Sequence, residues 1–257
     1  MHMDQLPVAA ALYVSALAFL IGTVFGSFCN AWAWRIVHHE KISHGRSHCP
    51  ECGHTLAAKD LVPLFSWLFL KGKCRYCGAP IAARYPLSEA VSGLYYLSVL
   101  LVCGVSLDTL RFWALGSLLL VMSLEDLDIM EIEDGLQIAA AALFLLRFRE
   151  PGFLRSALWG LSVAAGLLIF VLIAERILNR EAMGGADIKM IAVFGLHFGA
   201  LETLFLLIIG CFIGLAGAAV AKKGPGKEFP FGPALAAAAW VTVLAGEKIV
   251  NAYLMMF

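Results

Sequence analysis

Two short acidic segments interrupt an otherwise apolar chain. One, Glu125–Asp134, contains several carboxylates, among them Asp126, and the other, Gly184–Lys189, places Asp187 after a glycine pair. Ionisable groups at bilayer depth are rare unless they carry function. Two aspartates held close together cannot both ionise, so the ionised one can activate water while the protonated one polarises a peptide carbonyl. The two segments therefore predict acid–base hydrolysis by a carboxylate pair.

The acidic segments are expected at helix ends and at similar membrane depth. As a helix, the charge-free run Met190–Leu201 would reach only about 18 Å, well short of a hydrocarbon core of about 30 Å. We therefore expect its helix to begin near Asp187 and to include Lys189. The short run Phe112–Leu124 is expected to extend in the same way into Asp126.

Simpler explanations exist for both segments. Gly184 and Gly185 are expected to let other backbone approach closely beside Asp187, but a glycine-rich turn with a capping aspartate would have the same sequence. An ion or metal transporter would use membrane carboxylates as a cation or proton pathway. Transporters often contain inverted repeats with broken helices, whereas these segments share nothing beyond the aspartates. Hydrolysis is therefore favoured over transport.

Four of the seven cysteines have the spacing of a zinc site. Cys49-Pro-Glu-Cys52 and Cys74-Arg-Tyr-Cys77 are separated by 21 residues, and a glycine directly follows each pair. Two such turns supply four thiolates, which fill the tetrahedral sphere of Zn²⁺ and predict a structural site. A redox dithiol pair is the alternative. Three nearby histidines could substitute as ligands: His44, His48 and His54. The other three cysteines are expected to pack as small apolar side chains: Cys29, Cys103 and Cys211.

The composition excludes a soluble globular protein. Of the 257 residues, 61% are hydrophobic and 15% are charged, and the mean hydropathy is +0.83. Such a chain is expected to be an all-α polytopic membrane protein. Charge-free runs predict about eight spans: Leu6–Trp34, Ala90–Leu107, Phe112–Leu124, Gly135–Leu146, Ser156–Ala174, Met190–Leu201, Thr203–Ala221 and Phe229–Gly246.

The charge distribution predicts the orientation and the domains. Arg35–Arg84 contains eight Lys or Arg against three acidic residues, which places it in the cytoplasm. The expected divisions are a first span at 1–34, a cytoplasmic domain at 35–89 and a membrane domain at 90–257. The first span is expected to be retained and not cleaved as a signal peptide.

Alternation of the spans then puts the segments 125–134, 175–189 and 222–228 in the cytoplasm. It puts Arg147, Arg149 and Arg155 outside, against the positive-inside rule. Nucleic-acid binding is not expected, because the basic segment lacks interleaved aromatics.

Taken together, these motifs resemble the prepilin peptidases, membrane aspartyl proteases of the GxGD type. The resemblance covers most of the chain. The matching blocks are Gly26–Asn30 with Arg35, Arg46–His54, Asp60–Ser66, Gly72–Cys77, Arg84–Glu89, Asp126–Asp134 and Gly184–Lys189. The resemblance implies that Asp126 and Asp187 are catalytic and that residues 35–89 form the family's zinc-binding domain. Two departures are Glu133, where the family usually has proline, and Ala186, where the motif has its second glycine; activity is expected to survive both.

The resemblance also implies the substrate and a second activity. It implies cleavage of the short basic leader of type IV pilin-like precursors after a glycine, at the cytoplasmic face of a bacterial inner membrane. It further implies methylation of the new N-terminal amine, usually of phenylalanine, by S-adenosylmethionine, for which the chain shows no glycine-rich nucleotide loop. A zinc-bearing membrane scaffold without catalysis is the remaining alternative.

The residues around the pair have separate expectations. Asp128 is two residues from Asp126 and should face about 160° away from it on a helix. Asp134 lies past the expected helix end. The predicted supporting residues are Gly184, Gly185, Lys189 and Asp134. Two further motifs, Gly22–Gly26 and Phe229–Pro233, are expected to serve helix packing and a stiff helix entry, respectively.

Overall fold

The computed structural model describes residues 5–42, 45–148, 150–179, 183–221 and 229–256. Regular structure in these residues is helical, apart from two isolated β-bridges beside the cysteine pairs. The expected all-α class is therefore confirmed. The chain divides into two compact units, Met1–Glu125 and Asp126–Phe257, and the division falls within one helix.

The helices follow the charge-free runs of the sequence. In the first unit they are α1 (Val8–Val37), α2 (Phe65–Phe69), α3 (Arg84–Cys103) and most of α4 (Leu107–Ile129). In the second unit they are α5 (Asp134–Ala142), α6 (Phe153–Leu178), α7 (Gly185–Phe198), α8 (Ala200–Val220), α9 (Gly232–Val241) and α10 (Glu247–Leu254). Short 3₁₀ segments lie at Ala58–Asp60 and Leu143–Arg147, and a π-helical turn, Thr242–Gly246, joins α9 to α10.

Six helical stretches in the described residues are long and apolar enough to cross a membrane, against about eight predicted. They are α1, α3, α4, α6, α8 and the continuous stretch Gly232–Leu254. The two remaining predicted runs also form helices, but α5 has nine residues before its 3₁₀ extension and α7 has fourteen. At 1.5 Å per residue, α7 is only about 21 Å long. Length alone therefore supports six spans and leaves α5 and α7 as short helices.

In the first unit, glycines bring α1 and α3 together. A Cβ on Gly22 would lie 2.7 Å from the carbonyl oxygen of Ser92, and one on Gly26 would lie 2.9 Å from the Cα atom of Glu89. Neither position has room for a side chain, so the two backbones pack directly. The packing role expected for the Gly22–Gly26 motif is confirmed.

In the second unit, a glycine contact fixes α7 against α6. A Cβ on Gly160 would overlap the backbone of Gly195, and a Cβ on Gly195 would overlap the backbone of Gly160. Close approach without side chains lets two apolar helices pack tightly where lipid offers no hydrophobic driving force. The position of α7, which carries Asp187 at its N-terminal end, is thereby held by backbone contact.

Arg147, which opposed the charge rule, has a structural explanation. Its Nη1 atom donates a hydrogen bond to the carbonyl oxygen of His197 at 2.6 Å, in the last turn of α7. Its Nη2 atom lies 2.6 Å from a carboxylate oxygen of Glu150. A cation is favourable at the C-terminal end of a helix. Arg147 therefore stabilises α7 and is paired with an acid, which weakens it as a topology signal.

The outer faces of the long helices are apolar. Leu12 on α1, Phe170 on α6 and Phe212 on α8 are each 67% exposed. Monomeric soluble proteins rarely expose large continuous apolar areas. These faces need a non-aqueous surrounding, in agreement with the span assignment.

Candidate active site and zinc centre

Asp126 lies in the last turn of α4 and is buried, with 6% of its surface exposed. Its Oδ2 atom accepts a hydrogen bond from the backbone N–H of Gly232 at 2.8 Å. Gly232 is the first residue of α9, so the positive end of that helix dipole is directed at the carboxylate. The sequence places these two residues 106 positions apart, and only the fold brings them together.

Asp187 is the third residue of α7, in agreement with the expectation that this helix begins near it. Gly184 precedes the helix and accepts the backbone N–H of Asp187 at 3.1 Å. The Asp187 side chain is half-buried and lies close enough to Asp126 for the two charges to interact. The two predicted carboxylates therefore lie within electrostatic range of each other in the second unit.

Asp128 does not share this site. Its side chain is exposed, whereas that of Asp126, on the same helix, is buried. The separation of their directions follows from the 100° turn per residue implied by 3.6 residues per turn. The exposure of Asp128 agrees with the expectation that it faces away from Asp126.

Two of the four predicted supporting residues bind each other. The Nζ atom of Lys189 lies 2.5 Å from Oδ1 of Asp134, with side-chain exposures of 56% and 67%. Asp134 lies beyond the end of α4, as expected, and begins α5. An exposed ion pair adds at most about 1 kcal/mol. Its structural effect is to connect the N-terminal ends of α5 and α7.

The described residues do not supply the backbone that was expected to approach the glycine pair. Among the described residues, no backbone atom from another part of the chain lies within 4 Å of a Cβ built on Gly184 or Gly185. A Cβ on Gly184 would instead lie 3.2 Å from Oδ2 of Asp187, and a Cβ on Gly185 would have nothing within 4 Å. Gly184 therefore leaves room for the Asp187 carboxylate, while the structure gives no steric reason for Gly185.

Two residues at this site were missed by sequence reasoning. Gly232 belongs to the Phe229–Pro233 motif, for which only a structural role is expected from the sequence. Gln137 on α5 is buried, and its Nε2 atom is 3.4 Å from the carbonyl oxygen of Ala186. Its Oε1 atom is buried with no hydrogen-bond partner in the described part of the chain. The sequence feature that could have indicated this residue is the presence of a polar glutamine in the apolar run after Asp134.

The four cysteines of the first unit form one cluster. The sulfurs of Cys49, Cys52, Cys74 and Cys77 all lie within 4.8 Å of one another, and those of Cys49 and Cys77 are 3.9 Å apart. Zn–S bonds of about 2.3 Å in a tetrahedron require sulfur separations of about 3.8 Å. The donor set and its spacing therefore fit a structural Zn²⁺ site.

The two cysteine turns have matching backbone geometry. Gly53 donates its N–H to the carbonyl of Cys49 at 2.8 Å, and Gly78 donates to the carbonyl of Cys74 at 2.9 Å. Both glycines have positive φ, +69° and +74°, a conformation that other residues rarely adopt. The expected sharp turn after each pair is confirmed.

A carboxylate outside the cluster holds the second turn in place. Asp60 accepts hydrogen bonds from Nε of Arg75 at 2.6 Å and from the hydroxyl of Tyr76 at 2.9 Å, the two residues between Cys74 and Cys77. The Arg75 hydrogen bond, and less strongly that of Tyr76, lowers the pKa of Asp60. This charged anchor keeps the second turn against the 3₁₀ segment Ala58–Asp60.

His48 and His54 are not members of the cluster. His54 stacks on Tyr76 with ring centroids 3.6 Å apart, and His48 meets Trp34 edge-on at 5.5 Å. His44 lies outside the described residues. The interpretation that four cysteines make histidine ligands unnecessary agrees with these contacts.

Cys74→Ser is expected to abolish high-affinity zinc binding by the purified protein. Three thiolates leave the tetrahedron open, and the energy of a closed zinc site is part of the folding energy of its domain. Metal analysis should give about one zinc per chain for the original protein and little for the variant. Cys211→Ser is the control, because Cys211 is an exposed residue of α8 remote from the cluster in sequence. Full zinc content in Cys74→Ser would contradict the site.

Comparisons with known proteins agree with this arrangement. Residues 20–103 match the family described as the bacterial peptidase A24 N-terminal domain. Residues 113–219 match the type IV leader peptidase family. The first match contains all four clustered cysteines, and the second contains Asp126 and Asp187. No solved structure matches the chain.

Curated relatives are similar over nearly the whole chain. The prepilin leader peptidase/N-methyltransferase of Bacillus subtilis (strain 168) is 33% identical over 94% of this chain and 98% of its own length. The protein of the same name from Aeromonas hydrophila is 35% identical over 82% of this chain and 76% of its own. The type 4 prepilin-like proteins leader peptide-processing enzyme of Escherichia coli O78:H11 is 33% identical over 88% of this chain and 92% of its own length. The chain belongs to the type IV leader peptidase family.

Proposed function

We propose that this protein cleaves the leader of type IV prepilin-like precursors and methylates the new N-terminus. The observation that carries the proposal is that Asp126 and Asp187 lie at the ends of two helices, within electrostatic range of each other, in a chain of this family. The curated relatives named above are called leader peptidases or leader peptide-processing enzymes, and two of the three are also called N-methyltransferases. The leader is expected to be short and basic and to end in a glycine.

The carboxylate pair supplies the acid and the base for hydrolysis. One aspartate, ionised, takes a proton from water as the water oxygen attacks the scissile carbonyl carbon. The other, protonated, donates a hydrogen bond to the carbonyl oxygen, which gains charge in the transition state. The leaving amine then receives a proton and the two acids return to one shared proton. The N–H of Gly232 fixes the orientation of Asp126 throughout.

The second proposed activity uses the N-terminal domain. When bound, S-adenosylmethionine supplies a methyl group whose carbon–sulfur bond breaks as the amine nitrogen bonds to carbon, leaving S-adenosylhomocysteine. The amine loses its proton to water in this step. The four cysteines hold zinc for structure, because a filled tetrahedral site has no open position for a substrate.

The proposed location is a bacterial inner membrane, with lipid around the apolar helix faces and the active site toward the cytoplasm. The basic segment 35–89 supports this orientation through the positive-inside rule. In the second unit, hydrogen bonds and charge interactions connect the C-terminal end of α4 with the N-terminal ends of α5, α7 and α9. A site at these helix ends lies on one side of the membrane domain.

Membrane vesicles test activity and orientation together. A purified prepilin precursor is added outside inverted vesicles and outside right-side-out vesicles that contain this protein, with labelled S-adenosylmethionine. We expect leader loss and methyl transfer only with inverted vesicles. Mass spectrometry of the product identifies the cleaved bond and the added methyl group.

The alternatives predict different results from these vesicles. A transporter or a scaffold would leave the precursor intact in both preparations. Cleavage by right-side-out vesicles would contradict the orientation, and cleavage without methyl transfer would contradict the second activity only. Vesicles that lack the protein are the control for other proteases.

A further inference from the structure

The first unit contains a cavity of about 600 Å³ beside the zinc centre. Its walls come from α1, from the two cysteine turns with α2, and from the start of α3. Cavities that bind small molecules are commonly about 300–1,000 Å³. Among the residues that line it are Ala31, Trp34, Trp67, Tyr85 and Glu89.

Glu89 is a buried carboxylate in the wall of this cavity, with 8% of its surface exposed. Its Oε2 atom accepts the backbone N–H of Leu64 at 2.7 Å. Leu64 has φ of +61°, which is strained for a residue with a side chain. The hydrogen bond holds the strained turn and fixes the orientation of the carboxylate.

The Glu89 carboxylate has no positively charged partner among the protein residues that the structure describes. Asp60, also in the wall, pairs with Arg75. Arg35 directs its guanidinium to the backbone carbonyls of Ile42 at 2.6 Å and Gly45 at 3.1 Å. No described cation lies within ion-pair distance of Glu89. Buried charges are normally paired, so a positively charged ligand is the expected partner.

Aromatic rings complete the wall. Trp67 is held by a hydrogen bond from Nε1 to the carbonyl of Ile81 at 3.0 Å and by contact with Gly72, where a Cβ would lie 2.9 Å from the ring. Trp34 on α1 stacks against His38 with centroids 4.0 Å apart. Rings held in this way can stack on a planar base and attract a cation. The cavity therefore combines the groups that suit a planar ligand with a positive charge.

We propose that this cavity binds S-adenosylmethionine with its sulfonium toward the carboxylate of Glu89 and its adenine among the aromatic rings. The inference rests on the proposed methyltransferase function and adds the binding site. The sulfonium carries a positive charge that S-adenosylhomocysteine lacks. Glu89 therefore favours the methyl donor over the spent product, which promotes exchange of one for the other after each transfer.

The test measures binding directly, by calorimetry of the full-length protein in detergent with S-adenosylmethionine and with S-adenosylhomocysteine. Glu89→Gln keeps an oxygen for the Leu64 N–H and removes only the charge. We expect it to weaken the binding of S-adenosylmethionine by at least about tenfold and that of S-adenosylhomocysteine much less, because only the sulfonium charge is attracted by a nearby carboxylate charge. Glu40→Gln makes the same substitution at an exposed position of the first unit and should change the dissociation constant of neither ligand.

Filling the cavity gives an independent variant. Ala31 on α1 is half-exposed and lines the cavity, so Ala31→Phe places a ring in the proposed binding volume. We expect this variant to weaken the binding of both ligands to a similar extent. Zinc content and prepilin cleavage should remain normal in both variants, which shows that the fold is intact.

The outcomes separate the site from the function. If the original protein binds and transfers methyl groups, but Glu89→Gln leaves the ratio of the two dissociation constants unchanged, the assignment of Glu89 is wrong. Undiminished binding in Ala31→Phe would place the ligand elsewhere. If the original protein transfers no methyl group to a cleaved prepilin, the proposed methyltransferase function itself fails.

Discussion

Asp126→Asn and Asp187→Asn are each expected to abolish prepilin cleavage, with a loss of at least about 10³-fold in kcat/KM. An amide can neither take the proton of the attacking water nor share a proton with the remaining acid. Asn keeps the size of the side chain and its oxygen can still accept the Gly232 N–H at position 126. Cleavage is measured on purified precursor, with zinc content and methylation of pre-cleaved substrate measured in parallel.

Asp128→Asn is the matched control for the aspartate pair. It makes the same chemical change two residues from Asp126, at an exposed position of α4, and should lower kcat/KM for cleavage only slightly. The double variant of Asp126 and Asp187 should be no worse than either single one, because residues that act as a unit are strongly non-additive. Retained cleavage in Asp187→Asn, or complete loss in Asp128→Asn, would show that other carboxylates are catalytic.

Gly232→Ala is expected to lower kcat for cleavage by about 10- to 100-fold while KM changes little. The new Cβ would lie 2.8 Å from Oδ2 of Asp126 and 3.3 Å from its Cγ atom, so the carboxylate must move. Displacements of about 1 Å at a reacting group can cost about 10²-fold. Steady-state kinetics on a prepilin precursor separate kcat from KM.

Gly166→Ala is the control for this substitution. Gly166 lies inside α6, another helix of the second unit, and a Cβ there would meet nothing within 4 Å. Both changes add one methyl group to a helical residue, and alanine is a better helix former than glycine, so a loss of activity in Gly232→Ala alone reports on Asp126. Equal activity of the two variants would mean that the Gly232 contact does not position the carboxylate. A common loss of thermal stability would point to a purely structural role.

Much of the four-cysteine cluster could be predicted from the sequence because its geometry is local. Each CxxC pair folds as one turn, and Gly53 and Gly78 supply the positive φ that the turn requires. The contacts of Asp60 with Arg75 and Tyr76 were not predicted, since hydrogen bonds between a 3₁₀ segment and a later turn have no periodic signal in the sequence. The cavity that contains Glu89 was missed for the same reason.

Hydropathy also determined the helices, but not the number of spans. All eight apolar runs became helices, because unsatisfied backbone groups are too costly in an apolar medium. The short helices α5 and α7 show that hydropathy does not determine which apolar helices span the membrane. Length and charge alone cannot decide whether fourteen residues cross a bilayer or end within the protein.

By itself, the sequence determined the helical class, the cysteine cluster and the acidic segments, because local periodicity, ligand spacing and charge carry that information. Only the tertiary structure decided which groups complete the site. Gly232 meets Asp126 across 106 residues, and Gly160 and Gly195 set the position of α7 through backbone contact. Such contacts depend on how helices cross in space, and glycine looks the same in a sequence whether it faces lipid, a carboxylate or another backbone.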